Sequence, residues 1–117
     1  GVWTNGPYAE LSFLLEKDID AINLKFVVKG YIVPEHPAQL VDVMIKGKII
    51  ASWNFSGSGS FEERILSLTR QEWGGGSEVK IGFLVHNPVS PNELQRGADK
   101  RKLGMGLQGI LIDKVTY

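Results

Sequence analysis

The chain has 117 residues, 43% of them hydrophobic, and its 13 basic side chains balance 13 acidic ones. That length suits one domain with one core, burying roughly two thirds of the surface an unfolded chain would expose. The zero net charge argues against a general nucleic-acid or anionic-membrane binder, which would need a basic excess. With no cysteine in the chain, disulfides, thiolate zinc sites and thiol nucleophiles are excluded.

No apolar run approaches the roughly 20 residues of a membrane-crossing helix, so no direct membrane insertion is expected. The chain opens at Gly1 without methionine and meets Val2-Trp3 at once. Residues 1–117 therefore read as a single domain excised from a longer protein, with any targeting or catalytic part elsewhere.

In chain order, 1–7 is a turn-rich lead-in with one large aromatic, Trp3. Ala9, Leu11, Phe13 and Leu15 then alternate with Tyr8, Glu10, Ser12 and Leu14, the period of two that marks a half-buried strand. Ile22, Leu24, Phe26 and Val28 repeat the pattern in a second strand ending at Gly30. Pro34 and Pro37 bracket a loop holding Glu35-His36, because proline cannot donate to a ladder. Gln39 to Lys46 and Ile49 to Phe55 form the clearest hairpin, around Lys46-Gly47-Lys48. After the flexible Ser56–Ser60 stretch, Phe61 to Leu68 reads as a strand with Ile65 inward. Thr69–Ser77 is a loop carrying Trp73. Val79, Ile81, Phe83 and Val85 mark another strand, and Met105 to Tyr117 the closing one. Between these two lies a polar loop from Asn87 with two prolines, longer than the roughly 12–15 residues common inside a compact domain.

Seven or eight strands with glycine- or proline-marked turns, and no convincing helix, describe an all-β, two-sheet β-sandwich. Jelly-roll wiring is expected because the long loop suits a crossover between sheets; an immunoglobulin-like topology is the alternative.

Candidates for chemistry are few. His36, His86 and unpaired carboxylates show no triad spacing, so no catalytic residue is assigned and the domain is not expected to be an enzyme. A hydrolase would need His86 in a cleft, within hydrogen-bond reach of a carboxylate. Asn87, Asn92, Glu93 and Asp99 could offer oxygens to calcium, yet their spacing matches no calcium loop. Pairing of Asp99 with Arg101 or Arg96 is favoured over a metal, and no cofactor is expected. Trp3 and Trp73, with Tyr8 and Tyr31, are the aromatic faces available to stack on sugar rings, whereas Trp53 belongs to the core. Arg96, Lys100, Arg101 and Lys102 form a basic patch suited to docking on another part of the same parent chain.

The segments Gly1–Gly6 with Ala9-Glu10-Leu11, Val41–Ile49, Val79–Phe83, Asn87–Leu94 and Asp99–Leu107 together resemble a known family. It is the accessory β-sandwich domain found near the C-termini of some bacterial membrane phosphoglycerol transferases and surface-polysaccharide glycosyltransferases. Ser90-Pro91, Asp99, Arg101 and Leu103-Gly104 are the most specific part. Lys46-Gly47 departs from the asparagine-glycine turn common there and puts the turn type in question. The resemblance implies a non-catalytic module serving a cell-envelope glycan enzyme, on the extracytoplasmic side, with glycan or the parent chain's catalytic part as partner. The ligand-binding residues expected on this reading are Trp3, Trp73, Asn87, Asp99 and Arg101. The alternative is a structural docking domain with no ligand of its own.

Overall fold

The computed structural model describes residues 2–116. Its strands are β1 (Val2–Asn5), β2 (Tyr8–Leu14), β3 (Ala21–Gly30), β4 (Ala38–Ile45), β5 (Lys48–Ser56), β6 (Glu62–Thr69), β7 (Glu78–His86) and β8 (Leu103–Val115). Gly1 and Tyr117, included in the reading of the two chain ends, lie outside the described residues.

The pairing is that of one long antiparallel ribbon folded in half at the β4–β5 turn, so that β1 meets β8, β2 meets β7, β3 meets β6 and β4 meets β5. Rolling the ribbon adds the pairs β3–β8 and β4–β7. The two resulting sheets have the orders β1-β8-β3-β6 and β2-β7-β4-β5, which is jelly-roll wiring and excludes the immunoglobulin-like alternative.

Alternation builds the core. Ile22, Leu24, Phe26 and Val28 of β3 face Val41 and Val43 of β4 and Val79, Ile81, Phe83 and Val85 of β7, all buried. Phe26 stands edge-on to Trp53 and Phe83, with centroids 5.2 and 5.9 Å away, a geometry that adds to area burial.

Two details differ from the sequence reading, and a third answers the turn type it left in question. The turn-rich lead-in is a strand, because Trp3 and Asn5 pair with Gly106 and Leu103. Ile65 points outward and is 64% exposed; pairing Leu66 with Leu24 and Leu68 with Ile22 gives the inward positions of β6 to the leucines. The Lys46-Gly47 turn has both residues at positive φ, 51° and 77°, a two-residue type I′ connection in which lysine occupies the place asparagine usually fills.

Candidate functional site

On the outer face of the β2-β7-β4-β5 sheet, Glu10 stands opposite Gly82 and Tyr8 opposite Leu84. Gly82 has no side chain, so the middle of the sheet has a dip. The Tyr8 ring lies across it: a Cβ on Gly82 would come within 2.9 Å of Tyr8 Cζ and 3.0 Å of Cε2. Tyr8 is nonetheless 52% exposed, one face on the sheet and the other toward water. Around it lies a groove of about 700 Å³ whose rim includes Glu10, Lys46, Glu78 and Lys80. The Lys46 side chain reaches from the β4–β5 turn to the backbone of Gly74 and closes one end. Glu78 holds Lys80 at 3.5 Å. Two acidic and two basic side chains leave the rim without a dominant sign, so it suits a neutral polar ligand better than an ion. An aromatic floor with polar groups at the edge takes flat molecules having one apolar face and many hydroxyls.

The residues selected from sequence do not converge on one site. Trp3, on β1, is half-buried; it meets Tyr31 edge-on at 5.8 Å, and the Lys29 ammonium lies 5.2 Å from its ring. Asn87 follows the last residue of β7 and has φ 55°. Its carbonyl oxygen and that of Tyr31 meet the two ring nitrogens of buried His36 at 2.9 and 2.6 Å, so Trp3, Tyr31, His36 and Asn87 cluster at the C-terminal end of β3.

Trp73 lies near the other end of β3 and corrects the sequence reading. It is 3% exposed and part of the core, and its indole N–H donates to the Gly76 carbonyl at 2.9 Å. The Arg70 guanidinium sits 5.3 Å from its ring and donates to the carbonyls of Ile19, Glu16 and Gly76 at 2.7, 2.8 and 3.0 Å. Arg70 needs several acceptors and finds them in loop carbonyls, so the loop closes over Trp73. The tryptophan caps this end of the sandwich and lines the end of the Tyr8 groove, where at 3% exposure it is part of the wall and not a stacking platform.

The long loop is tied by polar pairs. Ser90 and Glu93 exchange reciprocal bonds, Ser90 N–H to Glu93 Oε1 at 2.7 Å and Glu93 N–H to Ser90 Oγ at 3.1 Å, the logic of a capping box used on a turn. Arg96 forks onto Glu35 at 3.0 and 2.7 Å, and Lys102 reaches Glu93 at 2.6 Å. Arg101 binds Asp99 through its side chain at 2.7 Å and its backbone N–H at 3.0 Å, the pairing expected from sequence. Three of the four cations of the proposed docking patch are thus already engaged.

The Arg96 guanidinium holds the Glu35 carboxyl below its ordinary range. Lys102, then the Ser90 N–H, do the same for Glu93, and the Arg101 side chain, then its N–H, for Asp99. These pKa values are lower in the folded state, so the contribution is complete above the ordinary carboxylate range and is lost as pH falls through the lowered values. The protection of the loop amides, their exchange divided by the intrinsic rate at each pH and read with global unfolding, is expected to be steady from neutral pH to that range and to fall below it. Rising protection on acidification would contradict this. Since Arg101 is 52% exposed and Asp99 34%, Asp99→Ala leaves a solvated guanidinium rather than a buried charge. It is expected to loosen the loop while leaving the thermal midpoint nearly unchanged, as for exposed ion pairs generally.

One polar array was not legible in sequence. Asp42 is only 7% exposed although it lies on the outer face. Its Oδ1 accepts the Ser52 hydroxyl at 2.7 Å, and its Oδ2 meets His86 Nε2 at 2.8 Å. The Ser52 bond first, then His86, holds the Asp42 carboxyl below its ordinary range. His86 therefore has the carboxylate a hydrolase would need, but the serine is bonded to the aspartate and not to the histidine, so the nucleophile-to-base contact is missing. Asp42 stands in the same cross-strand row as Tyr8, on the far side of Leu84, with which both pair.

The chain matches no protein-family model, and no curated protein or solved structure is significantly similar to it.

Proposed function

We propose that the domain is a non-catalytic, carbohydrate-binding accessory module of a bacterial cell-envelope glycan enzyme, and that its sugar site is the Tyr8 groove. The observation that carries this reading is the Tyr8 ring lying across Gly82 with its outer face open, inside a groove edged by Glu10, Lys46, Glu78 and Lys80. A pyranose ring stacks its apolar face on such a platform while carboxylates and ammonium groups take its hydroxyls. The resemblance of the segments around Ser90-Pro91 and Asp99–Leu107 to the accessory domains of surface-polysaccharide enzymes points the same way. The site residues move from Trp3, Trp73, Asn87, Asp99 and Arg101 to Tyr8, Glu10, Lys46 and Lys80. The docking alternative is weaker because Arg96, Arg101 and Lys102 already have carboxylate partners.

Isothermal titration with neutral and glycerophosphorylated glucan oligosaccharides tests the reading. Dissociation constants on the order of 0.1–1 mM are expected for one stacked ring and a few hydroxyl contacts. Tyr8→Ala should weaken binding at least about tenfold with the far-ultraviolet spectrum unchanged. Heats absent across the whole panel, or a Tyr8→Ala variant that binds like the parent, would refute it.

A further inference from the structure

Asp42 lies on the outer face of its sheet and is nonetheless buried, because Ser52 from β5 and His86 from β7 close over it from the two sides. Its carboxyl, held below its ordinary range by the Ser52 bond and then by His86, is ionised at neutral pH and can only accept. Both contacts therefore have one sense: the Ser52 hydroxyl donates to Oδ1 at 2.7 Å and the His86 Nε2–H to Oδ2 at 2.8 Å. Ser52 is left with lone pairs alone, and a neutral imidazole keeps a lone pair on Nδ1. Ser52 is exposed and the His86 side chain is 42% exposed. A buried carboxylate thus turns two surface groups into acceptors that face water.

We infer that Ser52 and His86, set by Asp42, form a second subsite beside the Tyr8 groove, one that takes a neighbouring sugar ring by two of its hydroxyl donors. The inference rests on the sugar site proposed above. Tyr8, Leu84, Asp42 and Ser52 follow one another in a single row across β2, β7, β4 and β5. With strands about 4.8 Å apart, Asp42 stands about 10 Å from Tyr8, within the reach of a disaccharide. Half-buried Leu84 lies between them as an apolar bed. A glycan stacked on Tyr8 would run across the strands, and its next ring would offer hydroxyls to Ser52 and His86. Asp42 touches no sugar; it is a positioning residue, because it decides which way both bonds point. An anion is disfavoured here, since it would set acceptors against acceptors.

The test compares glucose with a linear glucotriose by ¹⁵N NMR titration of the domain at about pH 8, where an ordinary imidazole is neutral. Glucose is expected to shift the Tyr8 groove alone. The triose is expected to shift Ser52 and His86 as well and to bind at least about tenfold tighter. Ser52→Ala, at an exposed position, and Asp42→Asn should each weaken triose binding about fivefold or more, as for a lost hydrogen bond, and leave glucose binding unchanged. Ser52→Thr keeps the hydroxyl and should bind the triose like the parent. An array that only tied the strands together would change stability and leave this selectivity in place. A triose no tighter than glucose, variants that bind both sugars like the parent, or variants that weaken both sugars equally would each overturn the subsite while leaving the Tyr8 groove standing. No shift with either sugar would overturn both.

Discussion

Replacing Phe26 by alanine is expected to lower the unfolding free energy by about 3–5 kcal/mol, the usual range for removing a buried aromatic ring. Phe26 is 1% exposed and sits where the sheets meet, edge-on to both Trp53 and Phe83. The two partners extend from β5 and β7 of the opposite sheet, so neither can follow the lost ring without pulling on its own ladder. The cavity would stay partly open, which puts the cost at the upper part of that range. A domain of this size has roughly 5–15 kcal/mol in total, so the variant would be marginal at 37 °C. Urea unfolding followed by tryptophan fluorescence checks it; a loss below about 1.5 kcal/mol would mean that the core collapses around the gap.

Gly104→Ala is expected to cost about 1–3 kcal/mol, although alanine usually gains several tenths over glycine through the unfolded chain. A Cβ at Gly104 would overlap Val85 Cγ1 and lie 3.1 Å from Val85 Cβ. Val85 is 2% exposed on central strand β7, and a β-branched side chain has little rotamer freedom with which to yield. Gly104 is absent from the positions with positive φ, so the penalty is one of space and not of backbone conformation. Adding Val85→Ala makes room for the new methyl. The double variant should lose less than the sum of the two single ones by about 1 kcal/mol. Strict additivity would show that the sheets do not touch here.

How much of this was legible follows from what alternation encodes. Val79, Ile81, Phe83 and Val85 announce a strand and its inward face, because side chains at period two share one side of a sheet. The hairpin around Lys46-Gly47 was equally plain. β1 was hidden because Trp3-Thr4-Asn5 is too short to display a period, and Gly6-Pro7 follows it directly. In β6, Ile65 and Leu66 are adjacent, so either face was allowed until pairing with β3 chose the leucines.

The site was less legible than the fold, for a related reason. Tyr8 could be named as a possible platform, but its value depends on Gly82, more than seventy positions away and brought beside it by the register of β2 on β7. Register is a property of two strands, and neither strand states it alone. Trp73 misled in the opposite direction: glycine-rich surroundings suggested an open loop, whereas Arg70 gathers the loop carbonyls and seals the indole inside. Asp99 and Arg101 were paired correctly because they are two residues apart and need no fold to meet.

The most direct test of the Tyr8 groove is a ¹⁵N NMR titration of the domain with neutral and glycerophosphorylated glucan oligosaccharides, read residue by residue. The groove predicts saturable shifts concentrated at Tyr8, Glu10, Lys80 and Gly82, with Trp3, Tyr31 and the Asn87–Arg101 loop unmoved. Shifts centred on Trp3 and that loop, or no saturable shift with any sugar, would contradict it.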